Sequence, residues 1–321
     1  MTASLRKQVE SARKKGLDWI AGTQSRLGHW NAEGTYYAAM TALAGLALTC
    51  SGSTTTQGPY ARQISLAADF LLSQVKTNGL IGNPKTDDRY TYGHGFAMLF
   101  LSQVLGEEES QQRRKELIDA LRAAVRFSVN AQTRAGGWGY LSAKEGNDFD
   151  EGSTTITQVQ GLRGCRNSGI KVPRSVIDNA IKYIYACKNK DGGIAYSSSR
   201  EHLGRSRPAI TAASLATLYN AGQADSEHVP QMWKYAKRNL HALSDEQTWG
   251  HWHYTYLYYA QVVYRQGKQE WAPFRDRLYS RLVKSQRGDG SWEGEVAPIY
   301  VTSCCTIMLL LDSAFLPIFQ R

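Results

Sequence analysis

Hydrophobic and polar positions alternate along this chain in two kinds of helical segment. In the first kind, charged residues cover one face and apolar residues the other, as in residues 4–24, 60–75, 111–132, 172–187, 227–243 and 270–286. In the second kind, small and apolar residues occur nearly all round, as in residues 36–50, 92–105, 153–164, 208–221, 252–264 and 300–313. The pattern therefore predicts twelve helices in six successive pairs.

The two kinds of segment predict where each helix lies. A helix with one apolar stripe packs on one side only, whereas a helix that is apolar all round is surrounded by protein. Six amphipathic helices around six apolar ones form an (α/α)6 toroid, which is an all-α fold. Signals for β-strands are nearly absent, and no linker divides the chain, so we expect one domain over residues 1–321.

Composition is consistent with a globular protein that has a large core. Of the 321 residues, 42% are hydrophobic and 21% are charged. No apolar run reaches the roughly 20 residues that a membrane span needs. The first 15 residues are charged and lack a hydrophobic signal segment, so we expect a cytoplasmic protein. Five cysteines without C-x-x-C spacing predict reduced, buried thiols.

The net charge of +10 is compatible with an anionic partner. The basic residues are scattered along helical segments, however, and are not combined with aromatic platforms for stacking bases. We therefore expect no nucleic-acid partner. A protein partner and a peripheral contact with a membrane surface both stay open.

The turns that lead from an amphipathic helix to an apolar one repeat along the chain. Residues 24–30, 132–138 and 286–292 each begin with Gln, end with Trp and carry Gly between them. Residues 187–193 keep the Gly positions, and residues 74–82 are a degenerate copy. These turns resemble the QW motif of squalene and other terpenoid cyclases, and residues 24–321 resemble the prenyltransferase and squalene oxidase repeat superfamily. The resemblance implies the same (α/α)6 fold.

All of these turns emerge at one end of the toroid, so the N-termini of the inner helices converge there. The aromatic and titratable side chains at that end predict a pocket. Tyr36 and Trp249 lie at this end in the predicted arrangement. The candidate substrate-binding residues are Tyr37, Tyr92, His94, Thr154, Arg205, Arg207, His251, His253, Tyr254, Tyr256 and Tyr300.

An acidic loop directly before the third inner helix carries the candidate chemistry. Asp148, Asp150 and Glu151 lie close together at the positive end of a helix, where mutual repulsion favours a retained proton on one of them. The loop resembles the D-x-D-D motif of class II terpenoid cyclases, whose middle Asp protonates an alkene or an epoxide. The resemblance implies that Asp150 is the catalytic acid, that Asp148 and Glu151 tune it, and that the substrate is a hydrophobic isoprenoid.

Other functions of the same fold stay open. The zinc site of protein prenyltransferase β subunits resembles an Asp-x-Cys pair with a His at the start of the last inner helix. In this chain Val301 stands at the His position and no Asp-x-Cys pair occurs, so we expect no metal and no cofactor. The alternatives are a non-catalytic repeat scaffold that binds a peptide, lipid or protein partner in the toroid mouth, and a prenyltransferase-like or glycan-active enzyme.

Overall fold

The structure is a computed structural model that describes residues 1–146, 148–199, 204–244 and 251–313. Its amphipathic helices are α1 (Ala3–Gly22), α3 (Ala61–Ser73), α5 (Gln111–Ala131), α7 (Arg174–Ala186), α9 (Val229–Leu240) and α11 (Lys268–Ser285). Its apolar helices are α2 (Tyr37–Thr49), α4 (Tyr90–Glu107), α6 (Gly152–Asn167), α8 (Pro208–Asn220), α10 (Trp252–Arg265) and α12 (Pro298–Leu310). A 3-10 turn, Leu311–Ser313, follows α12.

The even-numbered helices form a closed inner ring. Each one contacts the next, from α2 through α12, and α12 returns to α2. The odd-numbered helices lie outside this ring, so α2 buries twelve of its thirteen residues whereas α9 buries only five of twelve. The predicted (α/α)6 toroid is confirmed. Within the described ranges there are isolated β-bridges but no β-strand.

The predicted helices agree with the observed ones apart from small shifts at their ends. Helix α4 begins at Tyr90, two residues before the predicted start. Helix α12 begins at Pro298, because proline fits the first turn of a helix, where its missing N–H is not needed. All five cysteines are buried and free, as the sequence predicted.

The glutamine-to-tryptophan turns brace the outer ring. The Gln132 amide donates to the Gly136 carbonyl at 2.8 Å and to the Val176 carbonyl of the next outer helix at 2.9 Å. The indole of Trp138 donates back to the Ser128 carbonyl of α5 at 2.9 Å. The turns at residues 24–30 and 286–292 repeat this hydrogen-bond pattern. Each turn therefore joins two consecutive outer helices and fixes where the next inner helix starts.

Candidate active site

A cavity of about 400 Å³ opens at the end of the toroid where the turns enter the inner helices. The residue that directly precedes an inner helix contributes repeatedly to its wall, because the six N-termini converge there. Tyr36, Arg89, Arg207 and His251 hold this position before α2, α4, α8 and α10, and all four line the cavity. The equivalent residue before α6 is Glu151.

One side of the cavity is polar and carries two arginine–tyrosine pairs. The Arg89 guanidinium lies 4.4 Å from the centre of the Tyr140 ring, and the Arg207 guanidinium lies 4.4 Å from that of Tyr196. The hydroxyls of Tyr140 and Tyr196 are hydrogen-bonded to each other at 2.5 Å. Among the described residues, neither guanidinium forms an ion pair with a carboxylate. The polar wall therefore presents two cations and a pair of phenol hydroxyls.

Glu151 lies one hydrogen bond behind this wall and is fully buried. As the N-cap of α6, its carboxyl accepts the Ser153 hydroxyl at 2.5 Å, the Ser153 N–H at 2.8 Å and the Thr154 N–H at 2.5 Å. Burial raises the pKa of Glu151 above its usual value, although the bonds from Ser153 and Thr154 act in the opposite direction. Ser153 also lines the cavity.

Asp150 turns away from the cavity. Its carboxylate accepts the Ser197 hydroxyl at 3.0 Å, the Ser198 N–H at 2.9 Å and the Ser198 hydroxyl at 2.7 Å, and it does not line the cavity. The backbone at Glu151 is extended, with φ −154° and ψ 151°, so consecutive side chains point to opposite sides. Only one of these two neighbouring carboxyls can therefore face the inner ring.

The Asp148 carboxylate also binds a partner outside the cavity. Its carboxylate accepts the Arg134 N–H at 3.0 Å and the Arg134 guanidinium at 2.7 Å. The three acidic residues that the sequence groups together therefore separate in the structure. Asp148 and Asp150 brace loops, and Glu151 lies behind the cavity wall.

A second group of lining residues is aromatic and uncharged. Tyr92, Tyr254 and Tyr300 come from α4, α10 and α12, and Phe96 packs edge-on against Tyr92 with ring centres 5.3 Å apart. Burial holds the pKa of all three tyrosines well above the ordinary range, so they remain neutral phenols. Aliphatic residues complete the lining: Ala39, Met40, Leu43, Ala209, Ile210 and Val296.

The structure brings together five of the candidate binding residues in this cavity. They are Tyr92, Arg207, His251, Tyr254 and Tyr300. Six others do not line it: Tyr37, His94, Thr154, Arg205, His253 and Tyr256. Trp249 lies outside the described residues.

His94 has a structural position. Its Nδ1 accepts the Ile81 N–H at 3.0 Å, and its Nε2 is hydrogen-bonded to the Ala124 carbonyl at 3.2 Å. In other repeats a threonine takes the same role, as when Thr155 accepts the Trp138 N–H at 3.1 Å. Full burial lowers the pKa of His94 to about 4, so the imidazole is neutral.

The remaining five residues are displaced by helix geometry or by loop packing. Tyr256 lies two residues after Tyr254, which is a rotation of about 200° on a helix, and its hydroxyl donates outward to the Leu240 carbonyl at 3.1 Å. Tyr37 packs against the rings of His29 and Phe70. The other three are Thr154, which is buried in α6, Arg205, which is exposed, and His253, whose ring lies against Trp252.

Four residues of the polar wall were not among the sequence-based candidates: Arg89, Tyr140, Ser153 and Tyr196. A signal for two of them lies in the repeat. Tyr140 and Tyr196 follow Trp138 and Ile194 by two residues, and the N–H groups of Trp138 and Ile194 bind equivalent threonines of α6 and α8. Aligning the repeats on the threonines would have paired the two tyrosines.

Within the described ranges, no group of three or more His, Cys, Asp or Glu side chains is arranged to hold a metal ion. In the same part of the chain, no helix combines the length and apolar character that crossing a membrane requires.

Solved structures with the same architecture include two kinds of enzyme. The type II terpene cyclase MstE from Scytonema, in complex with geranylgeranyl dihydroxybenzoate (substrate), superimposes with a TM-score of 0.64 at 14% identity over 98% of this chain and 100% of that one. The α-1,6-mannanase of a Salegentibacter species gives a TM-score of 0.69 at 7% identity over 96% and 100%. No protein-family model and no curated protein sequence matches the chain. At this level of identity the likenesses establish one conclusion, that the chain has the toroid fold shared by terpene cyclases and mannanases.

Proposed function

We propose that this protein is an enzyme that cyclises a hydrophobic isoprenoid by class II chemistry, in which protonation of the substrate starts ring closure. The observation that carries this proposal is the buried Glu151 carboxyl, which lies one hydrogen bond behind the wall of a largely aromatic cavity. The protein fold is that of a type II terpene cyclase, which supports the proposal at the level of architecture.

Glu151 has the properties of a proton source. Burial favours its neutral form, so the carboxyl holds a proton at a pH where an exposed glutamate has lost it. The N–H groups of Ser153 and Thr154, at the positive end of α6, stabilise the carboxylate that forms when the proton leaves. Ser153, whose hydroxyl bonds to Glu151 and which lines the cavity, provides the route to the substrate.

The aromatic residues of the cavity lining would stabilise a carbocation. Neutral tyrosine rings present an electron-rich face, and each such contact stabilises a cation by about 2 kcal/mol or more when desolvated. Among the described residues, no guanidinium lies over the ring of Tyr92, Tyr254 or Tyr300, whereas one lies over each of Tyr140 and Tyr196. We therefore assign charge stabilisation to the rings of Tyr92, Tyr254 and Tyr300, and proton transfer to Glu151 and Ser153.

The proposal assigns the acid role to Glu151, whereas the D-x-D-D resemblance implied Asp150. Asp150 is held by Ser197 and Ser198 on the far side of the extended backbone. Its carboxyl would have to break three hydrogen bonds before it could approach the cavity.

A glycan-active enzyme is the second candidate, and the likeness to the mannanase favours it. Glycoside hydrolysis uses two carboxyl groups that flank the scissile bond. The described residues that line the cavity include no Asp or Glu. Three carboxyls bond to residues that do line it, namely Glu151 to Ser153, Asp88 to Tyr36 and Glu295 to His251, and of these three only Glu151 is buried. This arrangement suits one proton transfer better than a pair of opposed carboxyls.

Substitutions at two neighbouring residues, Glu151 and Asp150, test which carboxyl supplies the proton. Glu151→Gln preserves shape but cannot deliver a proton, so turnover should fall by about 10²- to 10⁴-fold, with a stability loss of roughly 1 kcal/mol from the weakened cap. Asp150→Asn is the matched control and should retain turnover within a few-fold, although it weakens the bonds to Ser197 and Ser198. The compounds to be tested are linear isoprenoids, both alkenes and terminal epoxides, together with geranylgeranyl dihydroxybenzoate. Products are identified by mass spectrometry.

The pH profile adds a readout that a purely structural role of Glu151 would not change. Since the acid must be protonated to act, kcat/KM should fall as pH rises through the elevated pKa of Glu151. Cyclisation by Glu151→Gln at the wild-type rate would refute the assignment. Selective loss of turnover in Asp150→Asn would return the acid role to Asp150. Hydrolysis of α-1,6-linked mannooligosaccharides with no isoprenoid product would favour the glycan-active alternative.

A further inference from the structure

A second cavity, of about 310 Å³, lies at the end of the toroid away from the candidate active site. The last turns of three inner helices, α2, α4 and α6, and the loops that follow them form most of its wall. Tyr92 lines the first cavity and Glu107 lines the second. These residues are fifteen positions apart on α4, which corresponds to about 22 Å along the helix. The two cavities are therefore separate sites.

The lining of the second cavity offers hydrogen-bond acceptors and no basic side chain. Ser53, Ser102 and Ser168 contribute hydroxyls, and Gln103 contributes an amide. Within the described part of the chain, none of the lining residues is Lys, Arg or His, although the protein has a net charge of +10. The charged lining residue is Glu107, whose carboxylate forms no ion pair with a described residue. The lining therefore favours a cationic ligand over an anionic one.

The helix ends add negative charge to this cavity. The carboxyl end of an α-helix carries about half a negative elementary charge, because its last carbonyls have no partner within the helix. Arg114 offsets part of this charge, since it donates to the Leu105 and Glu108 carbonyls at the end of α4, at 3.1 and 3.0 Å. Arg163 donates to the side-chain oxygen of Asn167 at 3.0 Å. Neither guanidinium lines the cavity, so the space itself is left to a cation from outside the chain.

Gln103 supplies a buried acceptor that has no donor in the protein. The residue is only 8% exposed, and its amide nitrogen donates to the Ser102 hydroxyl at 3.2 Å. Its amide oxygen accepts no hydrogen bond from a described residue. Buried carbonyl oxygens in proteins are normally hydrogen-bonded. A ligand with an N–H group in the cavity would provide the missing donor.

We propose that this cavity binds a small organic cation with primary ammonium groups, of the diamine or polyamine class. An ammonium group has three N–H donors and no acceptor, which matches the Glu107 carboxylate and the Gln103 amide oxygen. Ile64 and Val104 give the lining an apolar part that suits the methylene chain between two amines. The site is independent of the chemistry proposed for the first cavity.

The size of the cavity distinguishes an organic cation from a metal ion. A volume of 310 Å³ equals that of about ten water molecules, at about 30 Å³ each. Protein oxygens around so large a space cannot all approach one bare ion. The described residues also contain no group of three or more His, Cys, Asp or Glu side chains arranged for a metal. The volume does lie within the usual range for pockets that bind small organic molecules.

The test is isothermal titration calorimetry of the wild-type protein with 1,4-diaminobutane and spermidine at pH 7. We expect one equivalent of either amine to bind, and higher ionic strength to weaken the binding. The neutral isostere 1,4-butanediol should bind at least about 10-fold more weakly, because it lacks the charge that strengthens hydrogen bonds to the carboxylate. Potassium chloride at the same ionic strength should give no saturable heat.

Three variants locate the site. Glu107→Gln should weaken amine binding by about 3- to 10-fold, and Gln103→Leu by about 10-fold or more. Glu109→Gln is the matched control, because it removes the same charge two residues away. The Glu109 carboxylate is exposed, accepts hydrogen bonds from Thr56 and Gln57, and does not line the cavity. This control should change the affinity by less than about 2-fold.

The outcomes decide between a built site and general charge attraction. Equal weakening by Glu107→Gln and Glu109→Gln would overturn the proposal, as would equal affinity for the diol and the diamine. Binding of potassium in place of the amines would overturn it too. Urea unfolding checks that Gln103→Leu keeps the fold. Glu107→Gln changes an exposed residue at a helix end, so its result stands even if the buried substitution destabilises the protein.

Discussion

Removing the amide of Gln132 tests whether the repeated turns hold the toroid together. Gln132→Ala deletes two hydrogen bonds, at 2.8 Å to the Gly136 carbonyl and at 2.9 Å to the Val176 carbonyl of the next outer helix. A neutral hydrogen bond contributes about 0.5 to 1.5 kcal/mol net to stability. The free energy of unfolding should therefore fall by about 1 to 3 kcal/mol.

The chain contains a matched control in its degenerate turn. Gln74 begins that turn, but among the described residues its side-chain amide donates only to the hydroxyl of the adjacent Ser73, at 3.2 Å and exposed to solvent. Gln74→Ala should therefore change stability by less than about 0.5 kcal/mol. Equilibrium unfolding in urea, with equal m values for all three proteins, measures both changes. Equal destabilisation by the two variants, or none by Gln132→Ala, would refute the bracing role of the turn.

Two further predictions concern the scaffold around the cavity. Since the pKa of His94 is lowered from 6.5 to about 4 by burial, the unfolded chain binds a proton between these pH values that the folded chain does not. Stability should therefore fall as pH decreases through this window, by on the order of 3 kcal/mol. The free energy of unfolding of His94→Gln, measured at pH 7 and pH 4.5, should lack this pH-dependent loss. The same pH dependence in the variant and the wild-type protein would refute the prediction. Gly136 has φ +98° and a Cβ there would lie 2.3 Å from the Asn179 carbonyl oxygen, whereas at Gly169 (φ +82°) a Cβ would meet nothing within 4 Å. Gly136→Ala should therefore cost about 3 kcal/mol or more and Gly169→Ala about 1 kcal/mol, and similar melting temperatures for the two variants would show that the close approach is not rigid.

The alternation of amphipathic and apolar segments was sufficient to predict the architecture from the sequence. Whether a helix is apolar on one face or all round is a local property of its residues, and it decides whether the helix can lie outside or must be enclosed. Helices α2 and α9 illustrate this, since nearly all of α2 and less than half of α9 is buried. The convergence of the inner N-termini was expected from the same pattern, and Tyr92, Tyr254 and Tyr300 line a common cavity. Their role in substrate binding stays a prediction.

The direction of each side chain in the loops was decided only by the tertiary structure. Asp148 has a left-handed backbone with φ +57° and Glu151 an extended one, and these angles send Asp148, Asp150 and Glu151 to three different partners. Helical periodicity carries no information about such angles, because they depend on what each loop packs against.

For the arginine–tyrosine pairs of the polar wall, too, the sequence predicts one part and only the tertiary structure decides the other. The position of Arg89 before α4 and of Arg207 before α8 can be read from the chain. Their stacking on Tyr140 and Tyr196 cannot be read from the chain. Tyr140 belongs to a different turn from Arg89, and Tyr196 lies eleven residues before Arg207 in the same turn. The sequence alone determined a closed double ring of helices with chemistry at one end. Which carboxyl lies behind the cavity, and which hydroxyls lie between it and the cavity, depends on contacts that exist only once the ring has closed.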